Sequence, residues 1–272
     1  MKMILGIDAG NYETKVCTGS DVYAYLSDIG EYRKRRLDDK FSDDDMVWEY
    51  NGEKGFAGTL ARFESEFGGT IKGKSKNHSD AFLRVLIAVY RYGNKDNHII
   101  IGQPIDSHVE EEKIEMKRAL KGRHELKING KVKEFNILNV EIAPEGASAL
   151  LSNPVDGLVR VIDIGSGTTN FATLYNLKRI DKDSFTESIG TEVTRTKDPK
   201  RMADKIYKII SGAWDKNDIV YLTGGGANQV YSHLLEYMDN CKVIKPKIDN
   251  NRIVRTKFAN AIGFYRIAER LF

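Results

Sequence analysis

Two stretches of the sequence place an aspartate at the end of an apolar run and follow it closely with glycine. The first reads MILGIDAGNYETKVCTG and carries Asp8 and Gly10, and the second reads RVIDIGSGTTNFATL and carries Asp163 and Gly165. Glycine in a tight turn lets backbone N–H groups approach a phosphate, because no Cβ intervenes. A carboxylate beside such a turn can hold Mg²⁺ through water, since Mg²⁺ keeps several waters and bridges to phosphates. Each stretch is a candidate for one half of a phosphate clamp.

A third glycine-rich stretch, IVYLTGGGANQV, lies between an apolar run and a helix-like run. It places Gly224, Gly225 and Gly226 at the turn and Asn228 just beyond it. Backbone without side chains at this point can lie against a nucleoside. A tight connection explains any one of the glycine turns equally well. Three of them in this order indicate a nucleotide site.

The pattern of apolar residues around these turns alternates between strands and helices in both halves of the chain. Short apolar runs predict strands, and hairpin turns are predicted at Asn51-Gly52 and Asn129-Gly130. Helical spacing predicts a helix capped by Ser79 and another that begins at Pro199. The expected class is therefore α/β, with two similar sheets.

The overall composition narrows the range of partners. The chain has 272 residues, with 42 basic against 39 acidic side chains and a net charge of +3. This balance gives no reason to expect direct binding to nucleic acid or to a membrane surface. Cys17 and Cys241 show neither metal-ligand spacing nor a disulfide framework, which is typical of a reducing compartment. Because Asp8 interrupts the first apolar run, we expect no signal peptide and a cytoplasmic protein.

Residues 68–75 read GGTIKGKS and satisfy the pattern of a mononucleotide phosphate loop. Such a loop must follow a buried strand, because the strand directs its amides at the phosphates. The preceding TLARFESEF is charged and helix-like. We therefore expect a basic, glycine-rich connection here, and no phosphate site.

The three glycine turns and their surroundings resemble the actin-like ATPase superfamily, which also includes sugar kinases and the large chaperone ATPases. The resemblance spans almost the whole chain through five sequence elements. These are Asp8-Ala9-Gly10 with Lys15, the segment APEGASALL with Glu145, the stretch from Asp163 to Thr169, the adenosine motif LTGGGA, and the helix from Ala259 to Gly263. The resemblance implies an actin-like, ribonuclease H-like duplicated α/β fold, with two similar sheets and a nucleotide cleft between its lobes.

The resemblance also implies how the motifs bind ATP or GTP together with Mg²⁺. Lys15 is expected to reach the β- and γ-phosphate oxygens. The remaining residues expected to bind the nucleotide are Asp8, Gly10, Asn11 and Thr14 in the first motif, Gly165, Ser166, Gly167, Thr168 and Thr169 in the second, and Gly224, Gly225, Gly226 and Asn228 in the third.

Metal binding and catalysis are assigned in the same way. The resemblance implies that Asp8 and Asp163 hold Mg²⁺ through water, with Asp163 also near the attacking water. Glu145 matches the position that orients or deprotonates that water. The alternative for Glu145 is an ordinary carboxylate at a helix N-terminus just after Pro144, where the helix dipole favours it. We expect Glu145 and Asp163 to be the catalytic pair.

The lengths of the connections distinguish branches of the superfamily. The expected first lobe comprises residues 1–150 and 257–272, with a small insertion at about 21–69, and the second lobe comprises residues 151–256. Most actin-like proteins insert a fourth subdomain, IIB, after the second phosphate motif, but here only the residues from Tyr175 to Asp218 precede the next predicted strand. We therefore expect subdomain IIB to be reduced or absent.

A compact actin of this kind resembles the plasmid-segregation actins of the AlfA and ParM type. That resemblance implies a nucleotide-hydrolysing protein that assembles with itself into helical filaments. It also implies a DNA-binding adaptor protein at a plasmid centromere, through which the filaments move plasmid DNA. We expect a neighbouring protomer to complete the nucleotide pocket. The alternatives are a small-molecule kinase similar to type III pantothenate kinases and a regulatory ATPase that does not polymerise.

Overall fold

Fifteen β-strands and six α-helices make up the described part of the computed structural model, which covers residues 2–37, 39–66, 68, 76–193 and 197–272. The strands are β1 (Lys2–Ala9), β2 (Glu13–Cys17), β3 (Val22–Leu26), β4 (Ile29–Glu31), β5 (Asp45–Tyr50), β6 (Glu53–Gly58), β7 (Asp96–Gln103), β8 (Gly122–Ile128), β9 (Lys131–Pro144), β10 (Leu158–Ile164), β11 (Thr169–Tyr175), β12 (Lys178–Arg179), β13 (Phe185–Glu187), β14 (Val220–Thr223) and β15 (Cys241–Val243). The helices are α1 (Thr59–Glu64), α2 (Ser79–Tyr92), α3 (Glu110–Leu120), α4 (Pro199–Ile210), α5 (Ala227–Leu234) and α6 (Ala259–Leu271).

The strands form two sheets, as the alternation of the sequence predicts. The first sheet has the order β3-β2-β1-β7-β9-β8-β5-β6-β4, and the second has the order β12-β11-β10-β14-β15, with β13 also paired to β11. In the first sheet β1 runs antiparallel to β2 and parallel to β7. In the second, β10 runs antiparallel to β11 and parallel to β14. The two sheets therefore repeat one arrangement.

The repeat extends to the register of the two hairpins. Asp8 of β1 lies opposite Lys15 of β2, and Asp163 of β10 lies opposite Asn170 of β11. Each aspartate is close to the end of its strand, where the chain enters the glycine turn. Equivalent positions across the two hairpins thus carry a lysine in one copy and an amide in the other.

Helices cover both faces of the first sheet. Along β7, Ile99 and Ile101 pack in one hydrophobic core with the apolar residues of α2 and α3. Ile100, which lies between them, packs against Phe264 of α6. Because successive side chains of a strand point to opposite faces, α6 covers the face away from α2.

The second sheet is covered in the same way. Ile162 and Ile164 of β10 pack with apolar residues of α4 and α5. Val161, on the other face, packs with Leu150 and Ala259. Leu150 belongs to a short 3₁₀ helix, Ser148–Ser152, and Ala259 begins α6. Helix α6 thus packs against both sheets and connects them.

Close packing of α6 depends on two glycines. A Cβ added to Gly6 of β1 would lie 2.1 Å from the carbonyl oxygen of Ala261, and one added to Gly263 would lie 1.9 Å from the carbonyl oxygen of Ser148. Either contact is far too short for a real Cβ, so the backbones meet only because both residues lack a side chain.

The two predicted hairpin turns are confirmed. Asn51 and Asn129 have φ angles of 49° and 50°, and the glycines after them are also at positive φ. This is the pattern of a two-residue turn between antiparallel strands. The predicted capping residue of α2 is wrong by one position, because His78 is the N-cap and its Nδ1 accepts a hydrogen bond from the backbone N–H of Ala81.

The segment APEGASALL does not form the expected α-helix. Strand β9 continues to Pro144, a turn follows, and only the short 3₁₀ helix Ser148–Ser152 comes after it. Gly146 in this turn has φ of 71°, which interrupts any helix. Its N–H donates a hydrogen bond of 3.0 Å to the side chain of Asn260. Glu145 therefore lies on a turn, and the alternative that places it at a helix N-terminus is wrong.

Between β11 and β14 the described chain contains β12, the 3₁₀ helix Asp181–Asp183, β13 and α4. Two of these pair directly with β11 and extend the second sheet. None of the described residues in this stretch forms a separate sheet of its own. Subdomain IIB is thus reduced or absent, as expected.

The remaining findings concern the phosphate-loop pattern, the two cysteines and membrane-spanning helices. Of the phosphate-loop pattern at 68–75, the stretch 69–75 lies outside the described residues. Cys17 and Cys241 are buried free thiols. No helix in the described ranges has the length and apolar character needed to cross a membrane.

Candidate functional site

A cavity of about 580 Å³ lies between the two sheets. This volume is typical of a site for a small organic ligand. Both glycine turns contribute to its wall, as do the third glycine stretch and the start of α4. Its lining residues include Asp8, Gly10, Asn11, Glu13, Lys15, Lys76, Asp163, Gly165, Ser166, Gly167, Thr168, Thr191, Glu192, Asp198, Gly224, Gly225, Gln229, Lys257 and Asn260.

The first turn brings a buried ion pair to the cavity. Asp8 ends β1, and its Oδ2 lies 3.1 Å from Nζ of Lys15 in the adjacent strand. Asp8 is 6% exposed. Burial works to raise the pKa of Asp8, but the ammonium groups of Lys15 and Lys76 outweigh it and hold that pKa below its usual value. Asp8 is therefore a carboxylate at neutral pH.

The second turn presents backbone donors to the cavity. The N–H of Gly165 donates to the carbonyl of Thr168, at 2.9 Å, which closes the turn. Within the described chain, the N–H groups of Ser166, Gly167 and Thr168 donate to no protein acceptor. Unpaired N–H groups that line a cavity form a site for an anion.

A following segment supports this turn from behind. The N–H of Thr191 donates to the carbonyl of Gly165, at 3.1 Å, and the N–H of Glu192 donates to the carbonyl of Ser166, at 2.9 Å. The carbonyl oxygens of Gly165 and Ser166 thus accept hydrogen bonds from this segment and do not repel an incoming anion. The orientation of the peptide groups is fixed before any ligand binds.

The two turns meet across the cavity. A Cβ added to Gly167 would lie 2.8 Å from Nδ2 of Asn11. The tip of the first hairpin therefore touches the tip of the second. A chain of phosphates bound here would contact donors from both sheets at once.

Asp163 lies close to the end of β10, and no cation among the described residues forms an ion pair with it. Its Oδ2 accepts a hydrogen bond of 2.8 Å from Nδ2 of Asn260 on α6. Burial, followed by the charge of Glu145, raises the pKa of Asp163 to about 7. Proton uptake by this carboxyl is therefore sensitive to any cation that enters the cavity.

Glu145 is buried behind this part of the cavity. Its Oε1 accepts a hydrogen bond from Nζ of Lys76, and its Oε2 accepts one of 3.3 Å from Nδ2 of Asn170. Nζ of Lys76 also lies 3.4 Å from Oδ1 of Asp8. Although burial lowers the pKa of Lys76, the carboxylates of Glu145 and Asp8 raise it above the usual value. Lys76 is thus a buried ammonium ion between two carboxylates.

The two carboxylates expected to bind the metal, those of Asp8 and Asp163, fit Mg²⁺ only when a phosphate compound is bound beside them. The described residues contain no group of three or more His, Cys, Asp or Glu side chains that could hold a metal ion. Asp8 and Asp163 nevertheless offer hard carboxylate oxygens to the cavity. Mg²⁺ suits this arrangement because it retains waters and completes its coordination with phosphate oxygens.

Comparison with protein families decides the identity of the chain. Residues 6–147, more than half of the sequence, match the family described as actin like proteins N terminal domain. The chain is a member of the actin-like protein family. A search of curated proteins gives no significant match.

Solved structures share the fold of this actin-like protein. An AlfA filament bound to AMPPNP matches with a TM-score of 0.79 and 24% sequence identity over 100% of both chains. The filament structure of AlfA from the B. subtilis plasmid pLS32 matches with a TM-score of 0.79 and 23% identity over 96% of this chain and 97% of that one. An archaeal actin homologue in complex with ADP matches with a TM-score of 0.75 and 20% identity over 98% and 99%. The actin-like fold therefore extends over the whole chain.

Most predicted site residues of this actin-like protein lie at the cavity. The structure brings together Asp8, Gly10, Asn11, Lys15, Asp163, Gly165, Ser166, Gly167, Thr168, Gly224 and Gly225 as lining residues. Glu145 lies behind Lys76. The functions of these residues stay predictions.

Four predicted nucleotide-binding residues do not line the cavity. Thr14 and Thr169 are buried in their strands, where their hydroxyl groups bond to Ser27 and to the carbonyl of Ile189. Gly226 is buried beside the side chain of Ile164. Asn228 is exposed on α5 and is not among the lining residues. The next residue of α5, Gln229, does line the cavity.

Sequence reasoning missed Lys76, Asn170 and Asn260, which hold the three carboxylates in place. Asn170 could have been found, because it occupies in the second hairpin the position that Lys15 occupies in the first. Asn260 lies within a helix that the sequence already indicated. Lys76 has no comparable signal, since it stands in the polar stretch KGKSKNHSD.

Proposed function

We propose that this actin-like protein binds and hydrolyses a nucleoside triphosphate and assembles with itself into filaments. The observation that carries the proposal is the meeting of two glycine turns from two sheets at one cavity, with unpaired N–H groups of Ser166, Gly167 and Thr168 in its wall. A triphosphate contacts both turns together. Its binding and hydrolysis therefore change the position of one sheet relative to the other. Coupling of this kind is what a nucleotide-dependent polymer requires.

In the proposed site Lys15 and the amides of the second turn bind the phosphate oxygens. Gly224 and Gly225 lie against the nucleoside, and Asp8 and Asp163 hold the hydrated Mg²⁺. The metal, when bound, neutralises charge on the phosphates. Glu145 orients the attacking water and accepts its proton, since it lies behind the phosphate end of the cavity.

We further propose the two-lobe division at residues 1–150 with 257–272 and at residues 151–256. The packing of α6 against both sheets supports this division. Helix α6 then acts as the connection about which the lobes move. The likeness to AlfA filaments, one of them from a plasmid, supports a cytoplasmic filament that segregates plasmid DNA. The net charge of +3 favours contact with DNA through a separate adaptor protein.

The experiment is right-angle light scattering of the nucleotide-free protein on addition of ATP or GTP with Mg²⁺, with electron microscopy of the same samples. Scattering should rise and filaments should be visible, and omission of the nucleotide should abolish both. A flat trace at every protein concentration, with steady phosphate release, would instead identify a regulatory ATPase. Phosphate transfer to a small hydroxyl compound would identify a kinase.

The role of an adaptor is tested separately. The protein alone should bind duplex DNA weakly at every salt concentration, because a surface without excess charge releases few counterions. Tight, salt-sensitive binding of the protein to any DNA duplex would contradict the proposal that a separate adaptor contacts the DNA.

A further inference from the structure

A buried lysine lies where two acidic groups of the candidate site converge. The Lys76 ammonium contacts Glu145 Oε1 and lies 3.4 Å from Asp8 Oδ1. The side chains of all three residues are 8% exposed. Asp8 comes from the end of β1 and Glu145 from the turn after β9. One cation thus joins carboxylates from two separate strands.

Lys76 also separates Glu145 from the cavity. Lys76 is among the lining residues and Glu145 is not. Both carboxylate oxygens of Glu145 are engaged, one by Lys76 and the other by Asn170.

Within the part of the chain that the structure describes, no other cation contacts both Asp8 and Glu145. Asp8, Glu145 and Asp163 are three buried carboxyl groups, with exposed fractions of 6%, 6% and 5%. Lys15 pairs with Asp8, and Asn260 supplies Asp163 with a neutral amide. Without Lys76, the side chain of Glu145 would keep, among its described side-chain partners, the amide of Asn170 alone. Buried carboxylates with so few neighbouring positive charges and hydrogen-bond donors attract a cation.

We propose that Lys76 is an internal counter-ion that occupies the position a divalent cation would take between Asp8 and Glu145. It holds Glu145 in place and prevents the nucleotide-free protein from binding a divalent cation there. A metal ion then enters only together with a nucleotide. The assignment of Glu145 to water activation rests on the proposed function, whereas the exclusion of metal from the empty site does not.

The test uses Mn²⁺ as the probe, because its electron paramagnetic resonance signal measures free ion directly. Nucleotide-free wild-type protein is titrated beside Lys76→Met and the charge-preserving Lys76→Arg. Lys257→Met is the matched control, because Lys257 is another cavity lysine in an ion pair, at 2.6 Å from Glu13. We expect Lys76→Met to bind one Mn²⁺ at least about tenfold more tightly than wild type. Lys76→Arg and Lys257→Met should match wild type.

Thermal unfolding gives a second readout. Mn²⁺ should raise the midpoint temperature of Lys76→Met and leave that of wild type unchanged, because the ion replaces the missing charge. In Lys76→Met/Glu145→Gln this rise should disappear. If Lys76→Met does not fold, Lys76→Gln, which keeps a donor to Glu145, takes its place.

Two results would overturn the proposal. One is wild-type protein that binds Mn²⁺ as tightly as Lys76→Met does, and the other is a folded Lys76 variant that gains no Mn²⁺ binding. Neither result depends on filament assembly. Failure of the proposed function would appear instead as wild-type protein that binds no nucleotide.

Discussion

At the scale of single residues, the carboxyl group of Asp163 makes the empty site sensitive to pH. Its pKa of about 7 in the folded protein lies well above the ordinary value of 3.8, because the group is buried near Glu145. Its contribution to stability is therefore complete below pH 3.8 and is lost as the pH rises through 7. Each unit of such a shift corresponds to about 1.4 kcal/mol.

Asp163→Asn should therefore stabilise the nucleotide-free protein at pH 8 by a few kcal/mol and have a much smaller effect at pH 4.5. The measurement is urea unfolding of both proteins at the two pH values, with a chelator present. Asp198→Asn is the control, since Asp198 is an exposed carboxylate that caps α4 and asparagine caps equally well. If the free energies of unfolding of Asp163→Asn and wild type differed equally at both pH values, the raised pKa of Asp163 would not be the cause.

Glu145→Gln tests the proposed catalytic role. Loss of a general base should lower the rate of nucleotide hydrolysis about 100-fold or more. Nucleotide affinity should change little, because Glu145 lies behind Lys76 and the nucleotide contacts other groups. Phosphate release and nucleotide binding are measured on the same preparation. A loss of affinity equal to the loss of rate would show that Glu145 only maintains the site.

Residue types and spacing were sufficient to predict the positions of groups close to a strand end, such as Asp8 and Asp163. They were insufficient for Lys76, because its position depends on where α2 packs against the first sheet. A lone lysine in a polar stretch is ordinarily exposed. Only the converging carboxylates of Asp8 and Glu145 make its burial favourable.

At the scale of secondary structure, most strands and helices follow from local pattern. Segments with clear periodicity or turn residues, such as the hairpin turn at Asn51-Gly52 and helix α4, were predicted correctly. The resemblance to the actin-like superfamily implied a connecting helix in the segment APEGASALL. The turn at Gly146 forms instead because Asn260, far along the chain, accepts a hydrogen bond from its N–H. Tertiary contacts of this kind have no local signal.

The contact of α6 with the 3₁₀ helix gives a prediction at this scale. Gly263→Ala should destabilise the protein by about 1–3 kcal/mol or more, because its Cβ would meet the carbonyl of Ser148. Chemical denaturation measures the change. Gly212→Ala is the matched control, since a Cβ there meets nothing within 4 Å, and it should be neutral or slightly stabilising. Equal stability of the two variants would show that α6 can shift freely.

At the scale of the whole molecule, the reduced stretch between β11 and β14 supplies one side of the cavity. Thr191, Glu192 and Asp198 form the wall there. We expect a neighbouring protomer to complete this side once filaments form. The length of the connection predicted the reduction. The positions of the wall residues depend instead on contacts made after folding, since Thr191 and Glu192 bond to the second turn and Asp198 caps α4.

Hydrolysis should consequently depend on assembly. The rate per subunit should rise steeply with protein concentration above the threshold for scattering and be low beneath it. Phosphate release is measured across that threshold. As a control, the same series is run with Glu145→Gln, whose release should stay low throughout. Full activity far below the threshold would contradict the shared pocket.

The register of the two hairpins has a consequence for how a ligand is oriented. Opposite Asp8 stands the positive charge of Lys15, whereas opposite Asp163 stands the neutral amide of Asn170. If the two copies were identical, a row of phosphates would meet the same electrostatic field from either end. Because one copy carries the lysine and the other does not, the field has a direction. A duplicated, nearly symmetric clamp thereby distinguishes the head of its ligand from the tail.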